Sequence, residues 1–221
     1  MTNNKNGFVI SIGEFCLISS VLQNTDMKKN SFPFDWLFSN PKFVKECMKT
    51  NFEPLLDMII RQEKDYYIHY NDVEFKQVGM PHKDKTDIET LQYYKRTIDR
   101  FYKASRSHDK KIFLHVNGVP KNSTNFNYLN DISMVLNDLG IINYKIITIK
   151  ITNTNTNTNP NTNSNEKIKY QKTYEVGDIM EYTISIGNEI TIANWMERIN
   201  EYKYLIKNIL CVNGITEIIQ L

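Results

Sequence analysis

The chain has 221 residues, of which 41% are hydrophobic and 24% are charged, and its 27 basic and 25 acidic residues give a formal net charge of +2. This length and apolar content fit a single domain over residues 1–221. The balanced charge gives no electrostatic reason to expect nucleic acid or an anionic membrane as a partner. No run of 18 apolar residues predicts a membrane-spanning helix, and the polar start MTNNKNG lacks the apolar region of a signal peptide. We therefore expect a cytoplasmic protein with reduced thiols.

The predicted elements alternate between strand and helix. In chain order they are strand 7–12, helix 14–23, a helical segment 40–62 that Pro54 divides in two, one or two short strands within 65–76, helix 86–105, strand 110–116, helix 122–140 ended by Gly140, strands 144–151 and 181–186, and helix 192–210. The strands are apolar enough to be buried on both faces. This pattern is typical of an α/β fold with a largely parallel sheet flanked by helices.

One segment has a different composition from the rest. Residues 152–165, TNTNTNTNPNTNSN, form a polar low-complexity tract with no side chain that could contribute to a core. Such a tract predicts a disordered surface insertion. Because predicted strands flank it on both sides, we expect it to interrupt one folded domain instead of separating two.

Cys16 is the first candidate site residue. It follows a predicted strand and Gly13, at the start of a predicted helix. Ligands of parallel sheets bind beyond the carboxyl ends of strands, where the segment NGVPKNS (117–123) is also expected. The positive end of a helix lowers the pKa of a thiol in its first turn, although Glu14 opposes this effect. The alternative is that Cys16 is a small buried hydrophobic residue, which composition alone favours.

The other thiols and the histidines give no indication of a metal or another cofactor. Cys47 lies on an apolar helical face and Cys211 in an apolar run, so both are predicted core residues. The chain contains no C-x-x-C pair, and its four histidines have no zinc-like spacing. We expect His69 and His115 in the core or at its edge, and His108 to be exposed.

Two neighbouring segments together resemble a known family. SIGEFCLISSVLQ (11–23) followed by NSFPFDWLFS (30–39) is similar to a family of predicted papain-like cysteine peptidases, marked by a strand, a G-x-x-C motif and then a P-F-D-W block. The resemblance continues through VGMPHKD (78–84), KRTIDRF (95–101) and KKIFLHV (110–116). It covers roughly residues 7–120.

The resemblance implies a thiol-dependent hydrolase acting on a polar or peptide substrate. Cys16 would be the nucleophile and His82 the base that holds it as a thiolate. A third polar group would orient the imidazole; Asp35 is the candidate, while Asp84 or Asn117 would give the order Cys, His, Asp/Asn. The family name also raises a papain-like α+β fold as an alternative. A non-catalytic α/β binding module and a thiol-dependent acyl or glycosyl transferase remain open.

Each candidate also has a structural alternative. His82 could stabilise its own loop by a hydrogen bond, and Asp35 could satisfy buried backbone amides in a turn after Pro33. Trp36 is predicted to be largely buried, and Phe34 at least partly so, which would make the P-F-D-W block an anchor beneath the site.

Overall fold

The computed structural model describes residues 6–13, 16–61, 67–70, 73–76, 78–79, 88–117, 126–153, 169–186 and 195–221. The strands are β1 (Asn6–Ser11), β2 (Tyr67–Tyr70), β3 (Val73–Lys76), β4 (Lys110–Asn117), β5 (Tyr144–Asn153), β6 (Lys169–Val176), β7 (Ile179–Ile186) and β8 (Glu217–Ile218). The helices are α1 (Leu17–Asn24), α2 (Pro41–Lys49), α3 (Glu53–Arg61), α4 (Ile88–Arg106), α5 (Phe126–Asp138) and α6 (Trp195–Val212).

Among the described residues, six strands form one sheet in the order β6-β7-β5-β4-β1-β8, and β2 and β3 form a separate antiparallel pair. All neighbours in the large sheet are parallel except β6 and β7. The predicted α/β fold with a largely parallel sheet is confirmed. The papain-like α+β alternative is not the arrangement that these elements adopt.

The sheet is covered on both faces. Along β1, Phe8 and Ile10 belong to one apolar cluster and Val9 to the other, because successive side chains of a strand point to opposite faces. The first cluster contains the buried side chains of α2, α3, α4 and α5. The second contains those of α1 and α6. Burial on both faces explains why the central strands are so apolar in sequence.

The carboxyl ends of β1 and β4 lie side by side, and the chain leaves them toward opposite faces. β1 and β4 pair in parallel, β1 leads to α1 on one face, and β4 leads to α5 on the other. In open parallel sheets, ligands bind in the crevice formed at such a point. The fold therefore puts the segment after β1, which contains Cys16, at the edge of the sheet that serves as a binding site in this architecture.

The predicted division of segment 40–62 into two helices is confirmed, but Pro54 is not the cause. The helices separate at Asn51 and Phe52, which both have positive φ values of 53° and 65°. Pro54 lies in the first turn of α3, where its missing N–H is not needed for a helical hydrogen bond. Upstream, the side chain of Asn40 caps α2 by accepting a hydrogen bond from the Phe43 amide at 2.9 Å.

Gly140 ends α5 as predicted. It has a φ of 68°, and the Ile141 amide donates to the Leu136 carbonyl at 2.9 Å, the hydrogen bond that closes a Schellman-type helix end.

None of the helices in the described part of the chain is both long and apolar enough to cross a membrane.

The low-complexity tract begins later than the sequence indicates. Thr152 and Asn153 belong to β5, where they pair with Ser185 and Ile186 of β7. Their polar side chains do not prevent pairing because a strand end needs only backbone hydrogen bonds and threonine favours extended structure. The remainder of the predicted insertion, 154–165, lies outside the described residues. The sequence also left β6 and β8 unpredicted, since β6 is an exposed edge strand and β8 has only two residues.

Candidate functional site

Cys16 is the N-cap residue of α1, as predicted from its place after the first strand. Its backbone carbonyl accepts the helical hydrogen bond from the Ser20 amide at 3.1 Å. The residue is only 8% exposed. Burial raises the pKa of the Cys16 thiol, and a hydrogen bond to the residue's own backbone amide opposes this increase. The net direction is opposite to the lowering expected from the helix terminus, because desolvation of the thiolate outweighs the amide.

Gly13 turns the chain between β1 and Cys16. Its φ of 105° is a conformation that residues with a Cβ rarely adopt. A Cβ at this position would lie 2.6 Å from Ser39 Oγ and 3.0 Å from the Ser39 carbonyl oxygen. The Gly13 carbonyl also accepts a hydrogen bond from the Val116 amide of β4 at 3.2 Å. Gly13 is therefore the point where the end of β1, the end of β4 and the segment after the P-F-D-W block meet.

Asp35 is fully buried, and its carboxylate accepts two hydrogen bonds and faces one ammonium group. The Ser19 hydroxyl donates to Oδ1 at 2.7 Å, and the Phe32 amide donates to Oδ2 at 2.8 Å. Lys28 Nζ lies 3.0 Å from Oδ2 in an ion pair, although its geometry does not meet that of a hydrogen bond. The Asp35 amide in turn donates to the Phe32 carbonyl at 3.1 Å. Asp35 thus satisfies a buried amide within its own turn, as the structural alternative predicts.

The charged groups of the Asp35–Lys28 pair also act on nearby aromatic side chains. Lys28 Nζ lies 4.8 Å from the centroid of the Trp36 ring, a cation–π distance. Burial is the main cause of the raised pKa values of the Tyr93 and Tyr94 hydroxyls, and the negative charge of Asp35 raises both further. The P-F-D-W block therefore carries a buried ion pair whose negative charge acts on the two tyrosines of α4.

The P-F-D-W block anchors the core through Phe34 more than through Trp36. Phe34 is fully buried, and its ring centroid lies 5.7 Å from that of Phe52, so the prediction for Phe34 is confirmed. Trp36 is only partly buried and has a φ of 63°, so the prediction that it is largely buried is too strong. Its ring lies against Lys28 Nζ and is not among the buried core side chains.

Replacing Trp36 with alanine is expected to lower the free energy of unfolding by about 1–2 kcal/mol, below the usual cost for a fully buried tryptophan. Chemical denaturation of both proteins measures this difference. Trp36→Phe is the matched control, because it keeps an aromatic face over Lys28 and should cost less. A loss as large as that of a core aromatic residue would show that the ring is more deeply packed than its exposure indicates.

The segment just before His82 pairs with the residues that directly follow the P-F-D-W block. Phe38 and Gly79 form an antiparallel bridge in which each amide donates to the other carbonyl at 2.9 Å. His82 and Asp84 lie outside the described residues. Asn117 is the last residue of β4, which pairs with β1, but its side chain is likewise outside the described part of the chain.

His115, His108 and Cys47 have the structural roles predicted for them, but the prediction that Cys211 is a core residue is wrong, because its side chain is partly exposed. His115 is fully buried, and its Nδ1 lies 2.9 Å from Thr148 Oγ1. His108 is exposed, while the side chain of His69 lies outside the described residues. Cys47 is fully buried with a pKa raised well above its usual range by burial, whereas Cys211 is partly exposed.

Sequence reasoning missed Ser19, Lys28 and Ser39. Ser19 is a buried polar residue on the apolar side of α1, three residues after Cys16, and a hydroxyl in such a place was the signal that it has a partner. Lys28 carried no signal beyond its charge, because its approach to Asp35 depends on the turn between them.

The described residues bring together Cys16, Ser19, Asp35 and Ser39 around the carboxyl end of β1. They contain no group of three or more His, Cys, Asp or Glu residues that could hold a metal ion. Chemically, the arrangement offers one buried thiol beyond the carboxyl end of β1 and one buried carboxylate that is already paired. Comparisons of the chain with protein-family models, with curated proteins and with solved structures each found no match.

Proposed function

We propose that the protein is a thiol-dependent hydrolase in which Cys16 is the nucleophile and His82 is the general base. The observation that supports this proposal best is that contacts join the three sequence segments that carry the predicted chemistry. Gly13 packs against Ser39, and Ser19 binds Asp35, so the segment around Cys16 is fixed to the P-F-D-W block.

The third segment is joined to the same assembly. Phe38, next to Ser39, forms its bridge with Gly79, and His82 follows Gly79 by three positions in the sequence. The contacts thus run from the turn before Cys16 through Ser39 and Phe38 to the chain that carries His82. These contacts between segments that are distant in sequence support a common site.

The proposed chemistry follows from the properties of the thiol. Burial raises the pKa of Cys16, so an adjacent imidazole is needed to take its proton and stabilise the thiolate. The thiolate would attack the carbonyl carbon of a polar or peptide substrate, and the imidazolium would protonate the leaving group. Water would then hydrolyse the acyl-enzyme with His82 again as base. Asp84 and Asn117 remain candidates for orienting the imidazole, because two hydrogen bonds and an ion pair already engage the Asp35 carboxylate.

The proposal predicts that Cys16 is alkylated by iodoacetamide faster than Cys47 and Cys211. Across a pH series, the Cys16 rate should follow formation of the thiolate, which depends on the His82 imidazole. His82→Ala should lower the Cys16 rate at neutral pH by about 100-fold, the usual contribution of a general base. His108→Ala is the matched control, since His108 is exposed and not part of the proposed site. Mass spectrometry of the separated peptides measures each thiol individually.

Activity gives the second part of this test. The full chain is incubated with p-nitrophenyl acetate and with a mixed peptide library, and Cys16→Ser should abolish any hydrolysis that Cys211→Ser leaves intact. The hydrolase proposal is wrong if Cys16 stays unreactive while Cys211 is labelled and if Cys16→Ser hydrolyses both substrates at the wild-type rate.

The low exposure of Cys16 favours a second candidate, a non-catalytic α/β module that binds a polar ligand at the same strand ends. In that case, Cys16→Ser would preserve binding, and no acyl-enzyme would form. A transferase would use the same residues as the hydrolase and would differ in passing the acyl or glycosyl group to an acceptor other than water. Product analysis with an added amine acceptor distinguishes the two enzymes.

A further inference from the structure

We infer that Asp35 is a positioning residue that holds the first turn of α1, and with it Cys16, through the hydroxyl of Ser19. This inference rests on the proposed role of Cys16 as the nucleophile. It assigns Asp35 a different task from orienting the imidazole, the task that the sequence resemblance implied.

The hydrogen bond to Ser19 reaches the part of α1 that carries the thiol. Ser19 lies three residues after Cys16, and residues at this spacing occupy the same side of a helix. Its side chain is fully buried, and its hydroxyl donates to Asp35 Oδ1 at 2.7 Å. A hydrogen bond from a buried hydroxyl to a carboxylate is short and strong, so it restricts rotation and sliding of the first turn.

Asp35 is itself held from the other side. Its Oδ2 accepts a hydrogen bond from the Phe32 amide at 2.8 Å and lies 3.0 Å from Lys28 Nζ, whose side chain is only 9% exposed. Both carboxylate oxygens are therefore engaged by groups that belong to the turn and to α1. A buried carboxylate needs such partners, because an unpaired charge in this position is strongly unfavourable. The ion pair makes Asp35 a fixed support for Ser19.

A positioning role of Asp35 and a catalytic role predict different effects on the Cys16 thiol. A third catalytic residue would act on the thiolate through the imidazole, and its loss would change the ionisation of Cys16. A support acting through Ser19 would set how deeply the thiol is buried, so its loss would lower the raised pKa of Cys16 toward its ordinary value, whereas loss of a group that orients the imidazole would raise it. Ser19 and Asp35 would then act as one unit.

The test measures iodoacetamide alkylation of each cysteine in the full chain for wild type, Ser19→Ala, Asp35→Asn and the double variant. Each single change should raise the Cys16 rate about tenfold by loosening the first turn, as expected for the loss of one buried hydrogen bond. The double variant should show no more than the larger single effect, because coupled residues are not additive. The pH at which the Cys16 rate is half-maximal should fall in the same variants, because burial is what raises the pKa of this thiol.

Cys47 serves as an internal reference for unfolding, since it is fully buried on α2 and forms none of the contacts of Asp35 and Ser19. Its rate should stay constant in the variants, and a parallel rise of Cys16 and Cys47 would show general loosening and overturn the inference. Asp131→Asn is the matched control, because it removes a carboxylate from a partly exposed ion pair with Lys45. If Asp35→Asn does not fold, the Cys16 rate of Ser19→Ala is compared with that of the wild type.

Two further outcomes would also overturn the inference. One is a shift in the pH of the half-maximal Cys16 rate in Asp35→Asn without any effect of Ser19→Ala. This result would show that Asp35 orients the imidazole. The other is an unchanged Cys16 rate in Ser19→Ala. These alkylation results do not depend on any hydrolysis assay. The pH profiles of Cys16 alkylation in wild type and His82→Ala test the proposed function. The Ser19 and Asp35 variants test whether Asp35 positions the first turn of α1.

Discussion

Replacing Lys111 with methionine is expected to lower the free energy of unfolding by about 2–4 kcal/mol, because it leaves several partly buried carbonyl groups without a donor. Lys111 is fully buried in β4. Its Nζ donates to the carbonyl oxygens of Ser107 at 2.7 Å, Asp109 at 2.8 Å and Ile142 at 3.0 Å. The ammonium group thus joins the end of α4 to the turn before β5, where a positive charge also suits the helix dipole.

Lys110→Met is the matched control for this substitution. Lys110 is only partly buried, and its Nζ donates to a single carbonyl, that of Asn213, at 3.2 Å. Urea denaturation should therefore show a clearly smaller loss for Lys110→Met than for Lys111→Met. Equal losses in the two variants would contradict the structural role assigned to the three carbonyl contacts.

The pH dependence of stability gives an independent measure of the same group. Burial lowers the pKa of Lys111, and the nearby charge of Asp109 opposes this decrease. In the unfolded chain, a lysine keeps its usual pKa of about 10.4. Between the two values the unfolded state binds more protons, so this group makes stability rise with pH through that window. Lys111→Met should lose this rise, and a pH series of urea midpoints would show whether it does.

The fold was predictable because it depends on local patterns. The runs FVISI, IFLHV and YKIITIKI are rich in apolar and branched residues, as strands buried on both faces require, and they form β1, β4 and β5. Glycine at 140 marked a helix end in the same direct way. Pro54 misled because proline is also well suited to the first turn of a helix, and the actual break depends on the backbone at Asn51 and Phe52.

The site was predictable only in part, because its contacts join residues far apart in sequence. The place of Cys16 after a strand and a glycine was evident, but its burial depends on the segments packed over it. The ion pair of Asp35 with Lys28 and its hydrogen bond with Ser19 arise from the turn that brings α1 and the P-F-D-W block together. No spacing rule relates these residues, so the sequence indicated a polar role for Asp35 without identifying its partners.

Replacing Gly13 with alanine is expected to lower the free energy of unfolding by about 3 kcal/mol or more, from backbone strain and overpacking together. The backbone is strained for any residue with a Cβ at a φ of 105°. In addition, the new methyl group would lie 2.6 Å from Ser39 Oγ and 3.0 Å from the Ser39 carbonyl oxygen, so part of the clash is with backbone that cannot rotate away.

Gly140→Ala separates the two contributions, because Gly140 also has a positive φ, of 68°, but a Cβ there would meet no atom within 4 Å. It should cost only about 1 kcal/mol, the usual penalty for alanine in a left-handed conformation. The excess loss in Gly13→Ala then measures the contact with Ser39. Since Gly13 directly precedes the turn to Cys16, alkylation of Cys16 should change in Gly13→Ala and stay at the wild-type rate in Gly140→Ala. Equal losses of stability in the two variants would mean that Ser39 moves aside freely, and the connection between the Cys16 turn and the P-F-D-W block would then be too weak to support a common site.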